Sequence, residues 1–290
     1  MKPEPLNRRS LRDFPLPKLE DGDKETKGRI LVIAGCNGMP GAALLCATAA
    51  MRAGAGKLRI ATAQAITPHV AIAMPEALVV GFDSTVKGGV AAAAVKALRE
   101  QADEVDAVVA GPGLEASDAC GALAAALIES PAALALDAAL LRELKSNARE
   151  TGTAERVPIL LPHAGELADL LDCDEEAVEA DPIASGLEAA RRFRANVLVK
   201  GVESHVVTPD GRCWRFTGGA PGLGVSGSGD VLAGIVGGLL ARGADPLTAL
   251  LWAVLLHGEA GERLSKSVGP IGFLAREIPG ELPALLAQAE

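Results

Sequence analysis

The tetrapeptide Gly227-Ser228-Gly229-Asp230 lies at the centre of the run TGGAPGLGVSGSGDVLAGIVGGLLAR, residues 217–242. Small residues crowd its front. From Val231 the apolar positions Val231, Leu232, Ile235, Val236, Leu239 and Leu240 recur at helical spacing, which predicts a glycine-rich loop opening a helix. Glycines let successive backbone N–H groups converge on one point, and a helix start adds unsatisfied donors and the positive end of the dipole. Such a place attracts an anion, so the carboxylate of Asp230 reads better there as a base than as a ligand. Helix capping by Asp230 and close packing by the glycines are the plainer alternative, and the long glycine-rich run ahead of a well-defined helix favours chemistry over it. The chain has no GxxxxGK(S/T) pattern, so the cradle is not of the Walker type.

Other polar residues fall where short apolar runs end: Gly35-Cys36-Asn37, Gly111-Pro112-Gly113, Asp137, His163 and Lys200-Gly201. A lysine ending a strand can meet phosphate, and His163 precedes Gly165-Glu166, which could begin a helix. Asp137 reads equally as an acid for magnesium through water or as a helix cap. His69, His205 and His257 have no HExxH-like context and are expected to be structural.

The elements that position these residues alternate. RILVIAG (29–35), KLRIAT (57–62), EALVVG near Val79, DAVVAGPG (106–113), AALALD (132–137), PILLPHAGE ending near His163, and NVLVKG (196–201) read as strands. Between them, a stretch from about Gly41 to Ala53, VAAAAVKALRE, ACGALAAALIES and a segment closing at 188–194 read as helices, and SHVVTPDGRCWRF reads as a hairpin turning at Asp210-Gly211. Such alternation implies an α/β fold with a mostly parallel sheet covered on both faces. Ligands of these sheets sit beyond the carboxyl ends of the strands, so the residues named above are expected on one rim. Residues 1–28, rich in Pro and charge, read as an N-terminal arm that is solvated or packs on a neighbouring subunit, and 29–290 as a single domain.

Nearly half of the 290 residues are hydrophobic, yet Tyr is absent, so the core must rest on Ala, Leu, Val and Ile. A formal charge of −9 argues against a nucleic-acid partner, since no basic field exists to collect backbone phosphates. The five cysteines, Cys36, Cys46, Cys120, Cys173 and Cys213, form no CxxC pair and read as buried thiols in a reducing cytoplasm. No stretch suits a signal peptide or a membrane span; the apolar run 247–256 reads as a buried helix, with Trp252 in the core.

The pieces GRILVIAG, GAALLCATAAMRAGAGKL, VVAGPGL, PHAGEL, VLVKG and GVSGSGDVLAGIVGGLLARG, in that order, resemble the ADP/ATP-dependent (S)-NAD(P)H-hydrate dehydratases of the ribokinase-like superfamily. The resemblance implies a ribokinase-like three-layer α/β/α fold and an enzyme that restores NADH or NADPH from their C6-hydrated forms (NADHX and NADPHX). A nucleotide phosphorylates the C6 hydroxyl, and phosphate is then eliminated. It further implies that Asp230 is the base and that Gly227, Ser228 and Gly229 form the anion hole. The hydrated substrate is expected at Gly41, Ala42, Gly111, Gly113, His163 and Asp230. ADP or ATP is expected at Lys200, Gly201, Val202, Glu203, Ser204 and Gly229. Magnesium on the nucleotide phosphates, a cytoplasmic homotetramer and a separate epimerase protein are implied as well, with no metal held by the residues named. The chain departs from the family pattern at Ala139 in LDAAL, at Leu161 and Ala164 in LPHAGE, and at Glu115 in GPGLE. A ribokinase-like kinase for a vitamin precursor, which would leave phosphate on its product, and a nucleotide-binding sensor without turnover stay open as other readings.

Overall fold

A computed structural model describes residues 2–18, 27–144 and 157–289. The strands are β1 (Glu4–Pro5), β2 (Arg29–Ile33), β3 (Lys57–Ala63), β4 (Ala77–Phe82), β5 (Ala107–Ala110), β6 (Ala133–Leu136), β7 (Ile159–Leu160), β8 (Asn196–Val199), β9 (Ser204–Val207) and β10 (Cys213–Phe216). They form one ten-stranded sheet in the order β1-β10-β9-β8-β7-β6-β5-β2-β3-β4. From β8 to β4 every neighbour pair is parallel, whereas β9 runs antiparallel to both β8 and β10, the hairpin expected at Asp210-Gly211. Central strands built from consecutive Ile, Leu, Val and Ala are buried at successive positions. Because successive side chains point to opposite faces, burial at every position means that both faces are covered.

The glycines after Asp230 explain how the helix Ser228–Ala241 is held so close to its surroundings. A Cβ at Gly234 would lie 2.1 Å from the Cys46 carbonyl oxygen of the helix Pro40–Arg52, and one at Gly237 would lie 2.3 Å from Val109 of β5. The first neighbour is backbone and the second a side-chain methyl, so the helix is held closely on two sides along its middle. It begins at Ser228, three residues ahead of the first periodic apolar position, with Gly227 as its cap at φ +90°. The stretch VAAAAVKALRE is helical only from Ala94, since Val90 instead bridges Ser84.

The Pro- and charge-rich N-terminal stretch packs on its own chain; its residues 19–26 lie outside the described residues. Its few apolar side chains decide this. Leu6 and Leu11 are buried, Phe14 meets Trp214 edge-on at 5.6 Å, and the Phe14 carbonyl accepts the Trp252 indole N–H at 2.7 Å. β1 then pairs with β10, and Arg8 forms an ion pair with Glu259. Trp252 sits as expected in a buried helix, Pro246–Ser267. Four cysteines are buried, while Cys173 is exposed, against the expectation for all five. Among the described residues no helix is long and apolar enough to cross a membrane.

Candidate active site

Sheet order brings the predicted strand ends together, because β8, β7, β6, β5 and β2 are consecutive and parallel. Their C-terminal ends form a continuous rim. His163 and Lys200 pair across it as a parallel bridge, and the Gly35 N–H donates to the Pro112 carbonyl at 2.9 Å. Gly111, at φ +124°, packs its bare Cα face on the Asp137 backbone, where a Cβ would come within 1.8 Å of the carbonyl oxygen. Only glycine fits both that φ and that approach.

Three charged side chains lock together in the middle of the rim. The Lys200 ammonium donates to Asp137 Oδ1 at 2.8 Å and stands 3.7 Å from Glu166 Oε2. Burial pushes the Lys200 pKa down, but Asp137, Glu166 and Asp230 together pull it above the ordinary lysine value, so the group stays charged. Asp137 Oδ1 also accepts from the Ala138 N–H at 3.0 Å. The partner of Asp137 is thus a lysine, which neither role left open for it included, together with the next backbone N–H.

His163 and Glu166 cap the helix Ala164–Leu171 reciprocally. His163 Nδ1 accepts from the Gly165 and Glu166 N–H groups, and Glu166 Oε2 accepts from the His163 N–H at 2.9 Å. With Nδ1 committed as an acceptor, the neutral ring carries its proton on Nε2. The sequence signal was the H-x-x-E spacing of a capping box, with His in the capping role.

The glycine-rich loop faces this cluster. A Cβ at Gly229 would lie 3.7 Å from Lys200 Nζ. In the first turn of the helix, Ser228 N–H is used by the Val225 carbonyl and Val231 N–H by the Gly227 carbonyl. The intervening N–H groups of Gly229 and Asp230 have no partner among the described residues, which leaves them as donors for an anion. Asp230 is half-buried, and its pKa is raised to about 6 by burial and by the charge of Asp137, with Lys200 opposing. A carboxyl poised there is ionised at neutral pH yet still basic.

Two cavities flank the loop, and Val225 lines both. The larger, about 860 Å³, is bounded by His163, Lys200, Gly201, Val202, Ser204 and Gly229 among others, so most of the expected nucleotide residues share one space. Glu203 does not line it; its carboxylate is turned to Arg215 at 3.5 Å. The smaller cavity, about 460 Å³, is lined by Gly41, Leu44, Leu45 and Thr48 on one side and by Leu274, Ala275 and Arg276 on the other. Gly41 and Ala42 begin the helix Pro40–Arg52, and Gly113 packs on Ala42, where a Cβ would approach to 2.4 Å. Of the residues expected to hold the substrate, Gly41 lines the smaller cavity and His163 the larger, whereas Ala42, Gly111, Gly113 and Asp230 line neither; Gly111 ties this group to the cluster through the Asp137 backbone.

His257 was expected to be structural, yet it lines the larger cavity and its Nε2 lies 3.0 Å from Ser228 Oγ. It comes from the middle of the long helix Pro246–Ser267, far in sequence from any glycine loop, so no local pattern marked it. His205 is buried in β9 and His69 lies in the short helix Thr67–Ala73, and neither lines either cavity.

Residues 30–284 match the family model described as NAD(P)H-hydrate dehydratase. Over 278 residues, 96% of this chain and 94% of the relative, the sequence is 46% identical to an ADP-dependent (S)-NAD(P)H-hydrate dehydratase of Xanthomonas campestris pv. campestris. It is 33% identical to a bifunctional NAD(P)H-hydrate repair enzyme of Moorella thermoacetica, of which it spans 52%. The fold superimposes, at a TM-score of 0.85, 27% identity and full coverage of both chains, on the ADP/ATP-dependent NAD(P)H-hydrate dehydratase of Bacillus subtilis crystallised with ATP and Mg2+.

Proposed function

The chain belongs to the NAD(P)H-hydrate dehydratase family, and from that premise we propose how its rim carries out the reaction. It is a lyase that uses ADP or ATP to return hydrated NADH and NADPH to the reduced cofactors. Asp230 takes the proton of the C6 hydroxyl as that oxygen attacks the terminal phosphoryl group of the nucleotide. The free N–H groups of Gly229 and Asp230, with Lys200 beside them, hold the phosphoryl charge in flight. The new phosphate ester is a competent leaving group. The ring nitrogen lone pair expels it, and loss of the C5 proton completes the dihydropyridine.

The observation that carries this reading is a half-buried carboxyl with a pKa raised to about 6 in the first turn of a helix, beside N–H groups that have no partner among the described residues, where the glycine-rich loop ahead of it is flanked by two cavities. The nucleotide takes the larger cavity, against Lys200, Gly201, Val202, Ser204 and Gly229. The Glu203 side chain has no part in that contact. The substrate's reacting ring lies against Gly41, Ala42, Gly111 and Gly113, while His163 stands on the wall of the larger cavity.

Magnesium fits this arrangement as a companion of the nucleotide phosphates. Mg2+ takes oxygen ligands and is usually held by one or two carboxylates plus phosphates. Asp137 and Glu166 offer hard oxygens beside Lys200, which lines the larger cavity, but both already face that ammonium, and no cluster of three or more metal-ligating side chains occurs among the described residues. The phosphates therefore supply most of the coordination, and the ion contributes charge neutralisation when bound.

We further place the enzyme in the cytoplasm as a homotetramer, working beside a separate epimerase; its free cysteines suit a reducing compartment, and light scattering of the purified chain tests the assembly. The activity is tested by incubating hydrated NADH with ADP or ATP and following the return of dihydronicotinamide absorbance. Recovery with release of inorganic phosphate is expected. A phosphorylated product that accumulates would establish a kinase instead, and absence of recovery with either nucleotide would end the dehydratase reading.

A further inference from the structure

His257 is the ionisable group at the cavity wall that the mechanism above does not use. Its Nε2 is 3.0 Å from Ser228 Oγ, and both side chains line the larger cavity together with Gly229. Burial drives the His257 pKa down to about 4, against the pull of the Ser228 carbonyl and with help from the Lys200 charge, so the ring is neutral at pH 7. A neutral imidazole can either donate to a hydroxyl or accept from it. The 3.0 Å contact with Ser228 Oγ serves either direction, and only donation by Nε2–H leaves the Ser228 hydroxyl proton available to a ligand in the cavity.

We propose that His257 is a positioning residue that donates through Nε2–H to Ser228 Oγ and so turns the Ser228 hydroxyl proton into the cavity, as a side-chain donor to the transferring phosphoryl group. This inference rests on the dehydratase reading of the same site. Ser228 is suited to the part. Its own backbone N–H is spent on the Val225 carbonyl, and its hydroxyl makes no hydrogen bond to the protein other than the one with His257 among the described residues. The hydroxyl proton is then the donor left at this position, next to the free N–H groups of Gly229 and Asp230. Fixing the rotamer beforehand removes a reorganisation step at the moment charge moves, which is where such donors act.

The test compares Ser228→Ala, His257→Ala, the double variant and His257→Gln in the recovery assay with hydrated NADH and ADP. Loss of a preorganised donor to a transition-state anion lowers kcat by roughly 10²-fold. That loss is expected for Ser228→Ala and for His257→Ala, with KM for ADP changed far less. The double variant should be no slower than either single one, because the two residues act as a unit. His257→Gln, which keeps an N–H donor on the side chain, should recover most of the lost rate. The low-pH limb of the rate should stay where it is in His257→Ala, since the ring does not titrate in that range. Circular dichroism and ADP binding confirm that each variant is folded. A folded Ser228→Ala with wild-type kcat, a double variant that loses the product of the two single losses, or a displaced acid limb in His257→Ala would overturn the assignment. Failure of the wild-type chain to recover NADH would instead strike the dehydratase reading itself.

Discussion

The Lys200 ammonium and the Asp137 carboxylate, 2.8 Å apart, act on Asp230 in opposite directions: Asp137 raises its pKa and Lys200 lowers it. The working pKa of the base is therefore set by a neighbouring ion pair, on top of the effect of burial. In Asp137→Asn the acid limb of the kcat profile should move below its wild-type position near pH 6. In Lys200→Met it should move above it. Limbs that move together, or remain still, would show that this pair does not tune the base.

Asp230→Asn keeps size but removes basicity. Its kcat should fall by roughly 10²–10⁴-fold, the range for loss of a general base, while ADP binding measured by calorimetry stays near wild type. Retention of most of the rate would remove Asp230 from its role.

The same carboxyl should also leave a mark on stability. Its folded pKa, raised from 3.8 to about 6, exceeds the unfolded value, so the folded state binds the proton more tightly. The stabilisation from that proton is complete below pH 3.8 and disappears as pH rises through about 6. Above pH 7 Asp230→Asn should accordingly be more stable than wild type by about 2–3 kcal/mol, as two pKa units correspond to that much. At pH 4 the gain should vanish. Urea titrations at pH 4 and pH 8 measure the difference.

Gly234→Ala would drive a methyl group into the Cys46 carbonyl at 2.1 Å. Prising apart the helices Pro40–Arg52 and Ser228–Ala241 should cost about 1–3 kcal/mol. The same shift displaces Gly229 from Lys200, so kcat should fall alongside the urea midpoint. An unchanged midpoint would mean that the helix contact yields freely.

Leu11, 1% exposed, anchors the N-terminal stretch to the domain. Leu11→Ala should lose about 2–5 kcal/mol by the usual cost of a buried leucine. A change under 0.5 kcal/mol in the same titration would show that this stretch contributes no stability.

By itself, the sequence determined the alternation of apolar runs with helical patterns, and hence the parallel sheet, its loaded rim and the glycine-led helix carrying Asp230. These features are local or nearly so: periodicity, turn residues and strand ends are written within short windows. Tertiary structure alone decided the rest. The N-terminal stretch reads as an arm, solvated or packed on a neighbouring subunit, because Pro and charge dominate its composition, yet the packing of Leu6, Leu11 and Phe14 fixes it to β10 and Trp252 of its own chain. Lys200 finds Asp137 and Glu166 only because β6, β7 and β8 are neighbours in the sheet. His257 reaches Ser228 from a different helix, and Glu203, inside the expected nucleotide segment, turns away to Arg215. Contacts between residues distant in the chain are set by packing, and a local pattern carries no record of them. The tetrapeptide announced an anion site with an acid in it; the groups that set the acid's pKa and line the cavity beside it were gathered by the fold.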